Sequence, residues 1–134
     1  MNRVHLLNTD VPILCLNLTI KKQWFDLILS GKKWEEYRSI KNRQVMRMYE
    51  FITNGWLGTS FNLLILRNGY SACSPALAVP IRAFYLRRGI NARHPEWGEP
   101  TDEEWHFVLG LGKVLSHGTY KTVREWLDWE VTHD

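Results

Sequence analysis

The chain has 134 residues, of which 45% are hydrophobic and 23% charged, a length and balance typical of one globular domain. This composition excludes a disordered tail, a collagen-like fibre and a coiled coil. The two cysteines, Cys15 and Cys73, form no CxxC pair, so we expect reduced thiols, no redox motif and a cytoplasmic location. The longest apolar runs fall far short of the roughly 20 residues that cross a bilayer, and no signal peptide is predicted, so no membrane association is expected.

The net charge of +3 conceals an uneven distribution along the chain. Residues 1–93 contain 14 Lys and Arg against 5 Asp and Glu, whereas residues 94–134 contain 3 against 9. Basic clusters lie at 21–47 and 82–93. A basic stripe beside aromatic residues suits a nucleic-acid backbone with stacked bases. The alternative is that the acidic stretch 96–104 folds back and neutralises the stripe.

The first third of the chain predicts a strand, a short helix and a second strand. Apolar residues alternate with polar ones over 14–20, which is typical of a half-buried strand. A helical face follows, and Gly31 suits the left-handed position after its last turn. That face carries Trp24, Leu27 and Ile28. Residues 34–39 predict a strand, and the basic stretch 40–50 predicts one helical turn.

The middle of the chain predicts two strands joined by a loop. Residues 61–67 are apolar on both faces, which favours a central strand. Residues 77–85 alternate as a further strand, in which Pro80 predicts an edge position or a bulge. Four Gly and Pro residues within 89–100 predict a long irregular loop.

The last third predicts a strand between two capping boxes. Thr101 and Glu104 fit a capping box for one helical turn. Residues 105–111 alternate as a strand, with glycines on one face that permit a bulge or a close approach. Thr122 and Glu125 fit a second capping box, which begins a C-terminal helix over about 120–131.

These elements predict an α+β fold: a small, strongly bent sheet or β-barrel of about five or six strands with short flanking helices. No repeat, low-complexity segment or internal linker is present, so we predict one domain over 1–134 with a core at about 14–116.

The segment 30–38 concentrates ionisable groups where the first helix meets the second strand. Lys33 near an arginine is a candidate base or nucleophile with a lowered pKa. Glu36 could activate water or accept a hydrogen bond from a nucleobase, and Arg38 could fork onto a phosphate. The alternative is a solvated, salt-bridged hairpin.

Other catalytic and cofactor motifs are absent from the sequence. The five histidines show no paired metal-ligand spacing and no HExxH, so no metal site is predicted. No serine lies in a GxSxG elbow, and no glycine-rich phosphate loop indicates a nucleotide cofactor. We therefore expect no cofactor.

Three motifs make the chain resemble the ASCH domain family of the PUA-like superfamily. They are Leu16-Asn17-Leu18-Thr19-Ile20, then Trp24-Phe25-Asp26-Leu27-Ile28-Leu29-Ser30-Gly31-Lys32-Lys33, then Glu36-Tyr37-Arg38. The family pattern is a strand, a helix ending in L-x-G-x-K and a strand with T-x-E-x-R. Lys33, Glu36 and Arg38 match that pattern, and Trp34 replaces its threonine.

The resemblance implies a small β-barrel with a cleft beside the first helix, and RNA as the partner. Some ASCH-like proteins are enzymes: one bacterial group deacetylates acetylated cytidine with a lysine, a threonine and a glutamate, and other members are described as ribonucleases. The deacetylase lysine corresponds to Lys33. The threonine of the deacetylase set is not the threonine of T-x-E-x-R, and its position here holds Glu36. Glu103 and Glu104 are possible stand-ins for its glutamate.

Three hypotheses follow. The first is an RNA-binding module that holds a nucleobase or modified base in a basic cleft. The second is a small metal-independent hydrolase acting on a modified nucleoside or on RNA, with Lys33 and Glu36 as catalytic residues. The third is an interaction domain using Trp126 and Trp129 of the C-terminal helix. For the first hypothesis, the candidate RNA-binding residues are Lys21, Lys22, Lys32, Lys33, Trp34, Glu36, Arg38, Arg43, Arg87 and Arg88.

Overall fold

A computed structural model of the chain describes residues 5–7, 10–56 and 60–132, without the side chains of 55 and 56. The described residues contain six strands and three α-helices. In chain order these are β1 Ile13–Thr19, α1 Lys22–Leu29, β2 Glu35–Ser39, α2 Arg43–Phe51, β3 Phe61–Arg67, β4 Pro75–Arg88, β5 Trp105–Leu111, β6 Ser116–Thr119 and α3 Tyr120–Thr132. A π-helical turn at Ile52–Trp56 extends α2, and short 3-10 turns occur at Gly89–Asn91 and Pro95–Trp97.

The strands form one mixed sheet in the order β1-β3-β4-β5-β2, with β6 also paired to β4. The β1–β3 pair is parallel and the other pairs are antiparallel. The predicted α+β class is therefore confirmed, and the sheet has six strands. Its two end strands, β1 and β2, are not paired with each other, so the pairing does not show closure into a barrel.

The sheet bends at a bulge in its longest strand, β4. The register of β4 against β5 shifts between Ile81 and Ala83, next to Pro80. The predicted bulge is confirmed, whereas the predicted edge position is wrong because β4 lies between β3 and β5. Gly110 of β5 permits a close approach there, since a Cβ on it would lie 3.0 Å from the Ala83 side chain.

Apolar side chains cover both faces of the central strand β3. Leu64 and Leu66 belong to the core cluster beneath α1 and α2, and Leu63 and Ile65 belong to the cluster beneath α3. All four are fully buried. The apolar run is central, as its sequence predicts, because helices pack on both sides of the sheet.

The helix ends follow local chemistry, with two departures from prediction. Gly31 has φ of +80° just after α1, as predicted. Residues 43–51 form a full helix rather than one turn, because the Asn42 side chain accepts a hydrogen bond from Val45 N at 3.1 Å and caps it. The predicted helical turn at 101–104 is wrong: Asp102 Oδ1 instead accepts from Glu104 N at 2.8 Å in a non-helical loop.

The capping box of α3 lies three residues earlier than the sequence indicates. Thr119 N donates to Thr122 Oγ1 at 3.0 Å, and Thr122 N donates to Thr119 Oγ1 at 3.2 Å. The pair Thr119 and Thr122 therefore closes the helix start reciprocally. The helix still begins at Tyr120, where it was predicted. No helix among the described residues is long and apolar enough to cross a membrane.

The segment before β1 is fastened to α3 by one buried carboxylate. Glu130 Oε2 lies 2.8 Å from His5 Nδ1, and Glu130 Oε1 accepts from Leu6 N at 2.8 Å. The Glu130 side chain is fully buried. Because a buried polar group left without its partner is costly, this contact ties two distant parts of the chain together.

We predict that Glu130→Ala lowers the free energy of unfolding by about 1–3 kcal/mol, since Leu6 N–H and His5 lose their acceptor. Glu130→Gln keeps an acceptor for Leu6 N–H, so we expect a smaller loss. Urea unfolding measures both. Glu125→Ala is the control, because Glu125 lies on the same helix with its side chain 61% exposed; equal losses for Glu130→Ala and Glu125→Ala would contradict the prediction.

Candidate functional site

A cleft of about 540 Å³ opens beside the first helix. It lies between the end strands β1 and β2, which are not paired with each other. Its walls come from the end of β1, the start of α1, the strand β2 and the loops at 68–70 and 97–98. The lining therefore includes residues of the segment 30–38, in which the sequence concentrates ionisable groups.

Three charged side chains form the floor of this cleft. Lys33 Nζ lies 2.9 Å from Glu36 Oε1, and the other oxygen, Glu36 Oε2, accepts from Arg38 Nη2 at 2.7 Å and Nε at 3.1 Å. The side chains of Lys33 and Glu36 are 1% and 5% exposed. One carboxylate thus neutralises one of two cations, of which Lys33 is buried and Arg38 half-buried. The salt bridges of the alternative interpretation are present, but Lys33 and Glu36 are buried rather than solvated.

The turn after α1 places Lys33 on this floor. Lys33 N donates to Leu27 O at 3.0 Å, and the neighbouring Lys32 N donates to the same carbonyl at 2.9 Å. Gly31 supplies the positive φ that this reversal needs. Strand alternation then places Glu36 and Arg38 on one face of β2, where Glu36 reaches Lys33 with one oxygen and Arg38 with the other.

Arg38 also connects the two end strands of the sheet. Its Nη2 donates to the carbonyl of Thr19, the last residue of β1, at 2.7 Å. Asn68 Nδ2 donates to the next carbonyl, Ile20 O, at 2.9 Å. The gap between β1 and β2 is therefore bridged by the Arg38 side chain, while Asn68 fastens the end of β1 to the loop after β3. No backbone ladder fills the gap, which leaves room for a cleft.

Aromatic rings wall the cleft above the charges. Lys33 Nζ lies 5.0 Å from the Trp24 ring centroid and 5.3 Å from that of Tyr37, which is cation–π range. Gly98 has φ of +84°, and a Cβ on it would lie 2.7 Å from the Trp24 ring. A glycine is therefore required at 98 for the loop to close against Trp24.

Burial lowers the pKa of Lys33 below its ordinary value of 10.5. Desolvation is the largest cause, the adjacent Glu36 opposes it by favouring the ammonium form, and Arg38 adds to the lowering. Tyr37 shows the opposite direction: desolvation, reinforced by the hydrogen bond it donates to Glu35, raises the pKa of its phenol. The floor thus holds a lysine that gives up its proton more readily than a surface lysine.

The other candidate RNA-binding residues differ in whether they line the cleft. Lys21 is exposed and lines the cleft. Lys32 and Arg43 are exposed outside its lining, and Lys22 makes a surface pair with Asp26 at 2.6 Å.

Trp34 precedes β2 at the rim. Its side chain is outside the cleft lining and packs edge-on against Trp97, with ring centroids 4.4 Å apart. The residue is 53% exposed, so it does not fill the core.

The second basic cluster is partly neutralised by the acidic stretch. Arg87 Nε lies 3.6 Å from Glu99 Oε1 and donates to Asn91 O at 2.7 Å. The Glu99 side chain is fully buried, and its Oε2 accepts from the backbone N–H groups of Arg93 and His94. Arg88 is half-buried, with an unpartnered buried Nε. Neither Arg87 nor Arg88 lines the cleft.

Sequence reasoning missed the aromatic walls Trp24 and Tyr37 as site residues, and it missed the cleft residues that loops supply, among them Asn68, Tyr70 and Trp97. Trp97 is 7% exposed and stacks on His94 with centroids 3.8 Å apart. The available signal was a tryptophan inside a loop rich in Gly and Pro, since such loops often carry function. Tyr70 follows a turn signal and is 86% exposed; no pattern in the sequence indicates its position.

Among the residues that the structure describes, no group of three or more His, Cys, Asp or Glu side chains could hold a metal ion. Both cysteines are exposed and free. No protein-family model, no curated protein and no solved structure matches this chain.

We predict that Glu36→Ala lowers the free energy of unfolding by about 3–5 kcal/mol, because it leaves the buried Lys33 and the half-buried Arg38 without a counter-ion. Denaturant unfolding measures the loss. The matched control is Asp26→Ala, which breaks the exposed Lys22–Asp26 pair and should cost about 0–1 kcal/mol. Similar losses of unfolding free energy in Glu36→Ala and Asp26→Ala would contradict the prediction that the Glu36 carboxylate stabilises the two cations beside it.

Proposed function

We propose that this protein is an RNA-binding module that takes an unpaired nucleobase into the cleft. The observation that carries the proposal is the buried floor of Lys33, Glu36 and Arg38 beneath aromatic walls in an open cleft. Sequence-specific RNA recognition commonly stacks a splayed-out base on aromatic or guanidinium groups and hydrogen-bonds its edge. This floor supplies ionic donors and an acceptor within one base width.

The charge of the cleft favours a polyanion at its mouth. With both cations protonated, the floor carries one net positive charge, because Glu36 balances only one of them. Lys21 lies exposed at the start of α1 and adds a further positive charge to the lining. A phosphate at this mouth would meet attraction, while the base beyond it would meet Trp24 and Trp97.

The resemblance to ASCH domains supports the same proposal on the residues of the floor. Lys33, Glu36 and Arg38 are the residues that match the family motif, and the structure brings all three together. A PUA-like barrel and a cytoplasmic location belong to this proposal, as does RNA as the partner.

We predict that single-stranded RNA binds with an affinity that falls steeply with salt, since neutralised phosphates release counter-ions. Fluorescence anisotropy of labelled RNA over a KCl series measures it. Lys21→Ala should weaken binding and reduce the salt slope by about 0.7, the value for one single-strand phosphate contact. Tyr70→Ala should weaken binding about 5-fold or more through lost stacking.

Lys113→Ala is the matched control, because Lys113 is exposed and does not line the cleft. A flat salt response, or equal losses for Lys21→Ala and Lys113→Ala, would contradict an RNA-binding cleft.

The second candidate function is hydrolysis of a modified nucleoside or of RNA. The specific observation in its favour is the lowered pKa of Lys33 beside a carboxylate. Lys33 would act as base or nucleophile, Glu36 as its acid–base partner, and Arg38 would stabilise a developing anion.

This alternative predicts turnover of acylated or methylated nucleosides or shortening of RNA, followed by mass spectrometry. The rate should rise with pH as Lys33 loses its proton, with a midpoint below 10.5 because burial disfavours the ammonium form. Lys33→Met should abolish turnover while circular dichroism shows a retained fold. Undiminished turnover in Lys33→Met would remove Lys33 from the chemistry.

A further inference from the structure

A second cavity, of about 450 Å³, adjoins the cleft across the strand β2. The two cavities share lining residues at 37–39 and at Gly98. Because β2 is an end strand of the sheet, nothing in the strand order separates the cavities on its outer side. A ligand longer than one base in the cleft would therefore continue into the second cavity.

The second cavity has its own aromatic wall and its own polar groups. Trp105, at the start of β5, lines it and is 50% exposed. Lys41, Asp102 and Glu104 lie on the same lining, and so does Pro100. A half-exposed indole beside a proline gives a flat apolar surface on which a base can stack.

A buried histidine whose ring nitrogens make no hydrogen bond also lines this cavity. His106 is 2% exposed, and neither of its ring nitrogens makes a hydrogen bond within the described part of the chain. The nearest acid, Glu99 Oε1, lies 3.8 Å from His106 Nε2, beyond hydrogen-bond distance. Glu99 Oε1 is itself buried without a hydrogen bond, so the two unsatisfied groups face each other. The Tyr37 ring packs edge-on against the His106 ring, with centroids 5.9 Å apart. His106 therefore closes the inner wall of the cavity against Glu99 and Tyr37.

The charges of the second cavity favour a base rather than a phosphate. The carboxylates of Asp102 and Glu104 oppose Lys41, so the lining has no positive excess. Carboxylates accept hydrogen bonds from the amino groups of bases and repel phosphate. The phosphate would instead lie at the shared border, where Arg38 belongs to both cavities.

We propose that this cavity is the subsite for the nucleotide next to the one in the cleft, with its base against Trp105. The inference rests on the proposed function of the cleft and deepens it: the ligand is an RNA strand of two or more nucleotides rather than a free nucleoside. The strand crosses the free side of β2, with one base in each cavity.

The experiment compares AMP with the dinucleotide ApA by isothermal titration calorimetry. We expect ApA to bind at least tenfold more tightly. AMP carries more phosphate charge than ApA, so attraction of phosphate alone would give the opposite order. Trp105→Ala should bring the affinity for ApA close to that for AMP and leave the affinity for AMP unchanged.

Two further variants separate stacking from hydrogen bonding. Trp105→Phe should keep most of the preference for ApA, since it keeps a ring. Glu104→Ala should reduce the preference several-fold, because it removes a carboxylate that accepts hydrogen bonds from a base amino group. Ile90→Ala is the control, because Ile90 is 54% exposed and lines neither cavity. This variant should show the same preference for ApA over AMP as the unmodified protein.

The outcomes distinguish the two proposals. Equal affinities for AMP and ApA, or an unchanged preference in Trp105→Ala, would overturn the second subsite while RNA binding by the cleft stands. If neither these nucleotides nor longer single-stranded RNA binds, the proposed function fails and the subsite fails with it.

Discussion

The site depends on the contacts that the Glu36 carboxylate makes. This carboxylate accepts hydrogen bonds from Lys33 and Arg38 at once, and through them it joins the turn after α1 to the strand β2. Arg38 then reaches the last carbonyl of β1, at Thr19. The two cations without this anion would repel each other in a medium of low dielectric constant. The geometry of the cleft therefore follows from one acidic residue flanked by two basic ones.

The gap between the end strands β1 and β2 opens the cleft above these charged side chains to solvent. β1 and β2 end the strand order and are not paired with each other, and the Arg38 side chain bridges the space between them. The register of β4 against β5 shifts at a bulge near Ala83. Loops then supply Trp97 and Tyr70 as walls. A stable sheet thus holds the charges in place, while loops provide the surface that a ligand would contact.

The excess of positive charge along the first 93 residues is not the same as a positive surface. Glu99 folds back beside Arg87, and Asp26 pairs with Lys22. At the cleft itself, the cations that remain for a polyanion are Lys21 at the mouth and the floor beneath it, while exposed cations such as Lys32 and Arg43 lie outside the lining. Charge along a sequence predicts a class of partner, whereas pairing in three dimensions decides which cations are available to bind it.

The sequence by itself determined the local elements and the floor of the cleft. Alternation and apolar runs predicted β1, β3 and β5, and Gly31 predicted the end of α1, because these depend on backbone geometry and on neighbours a few residues apart. The same local spacing brought Glu36 and Arg38 to one face. Only the tertiary structure decided that Trp97 rather than Trp34 walls the cleft, that Arg87 is paired, and that β1 and β2 remain apart. Those outcomes depend on contacts between residues far apart in the chain, which periodicity does not record.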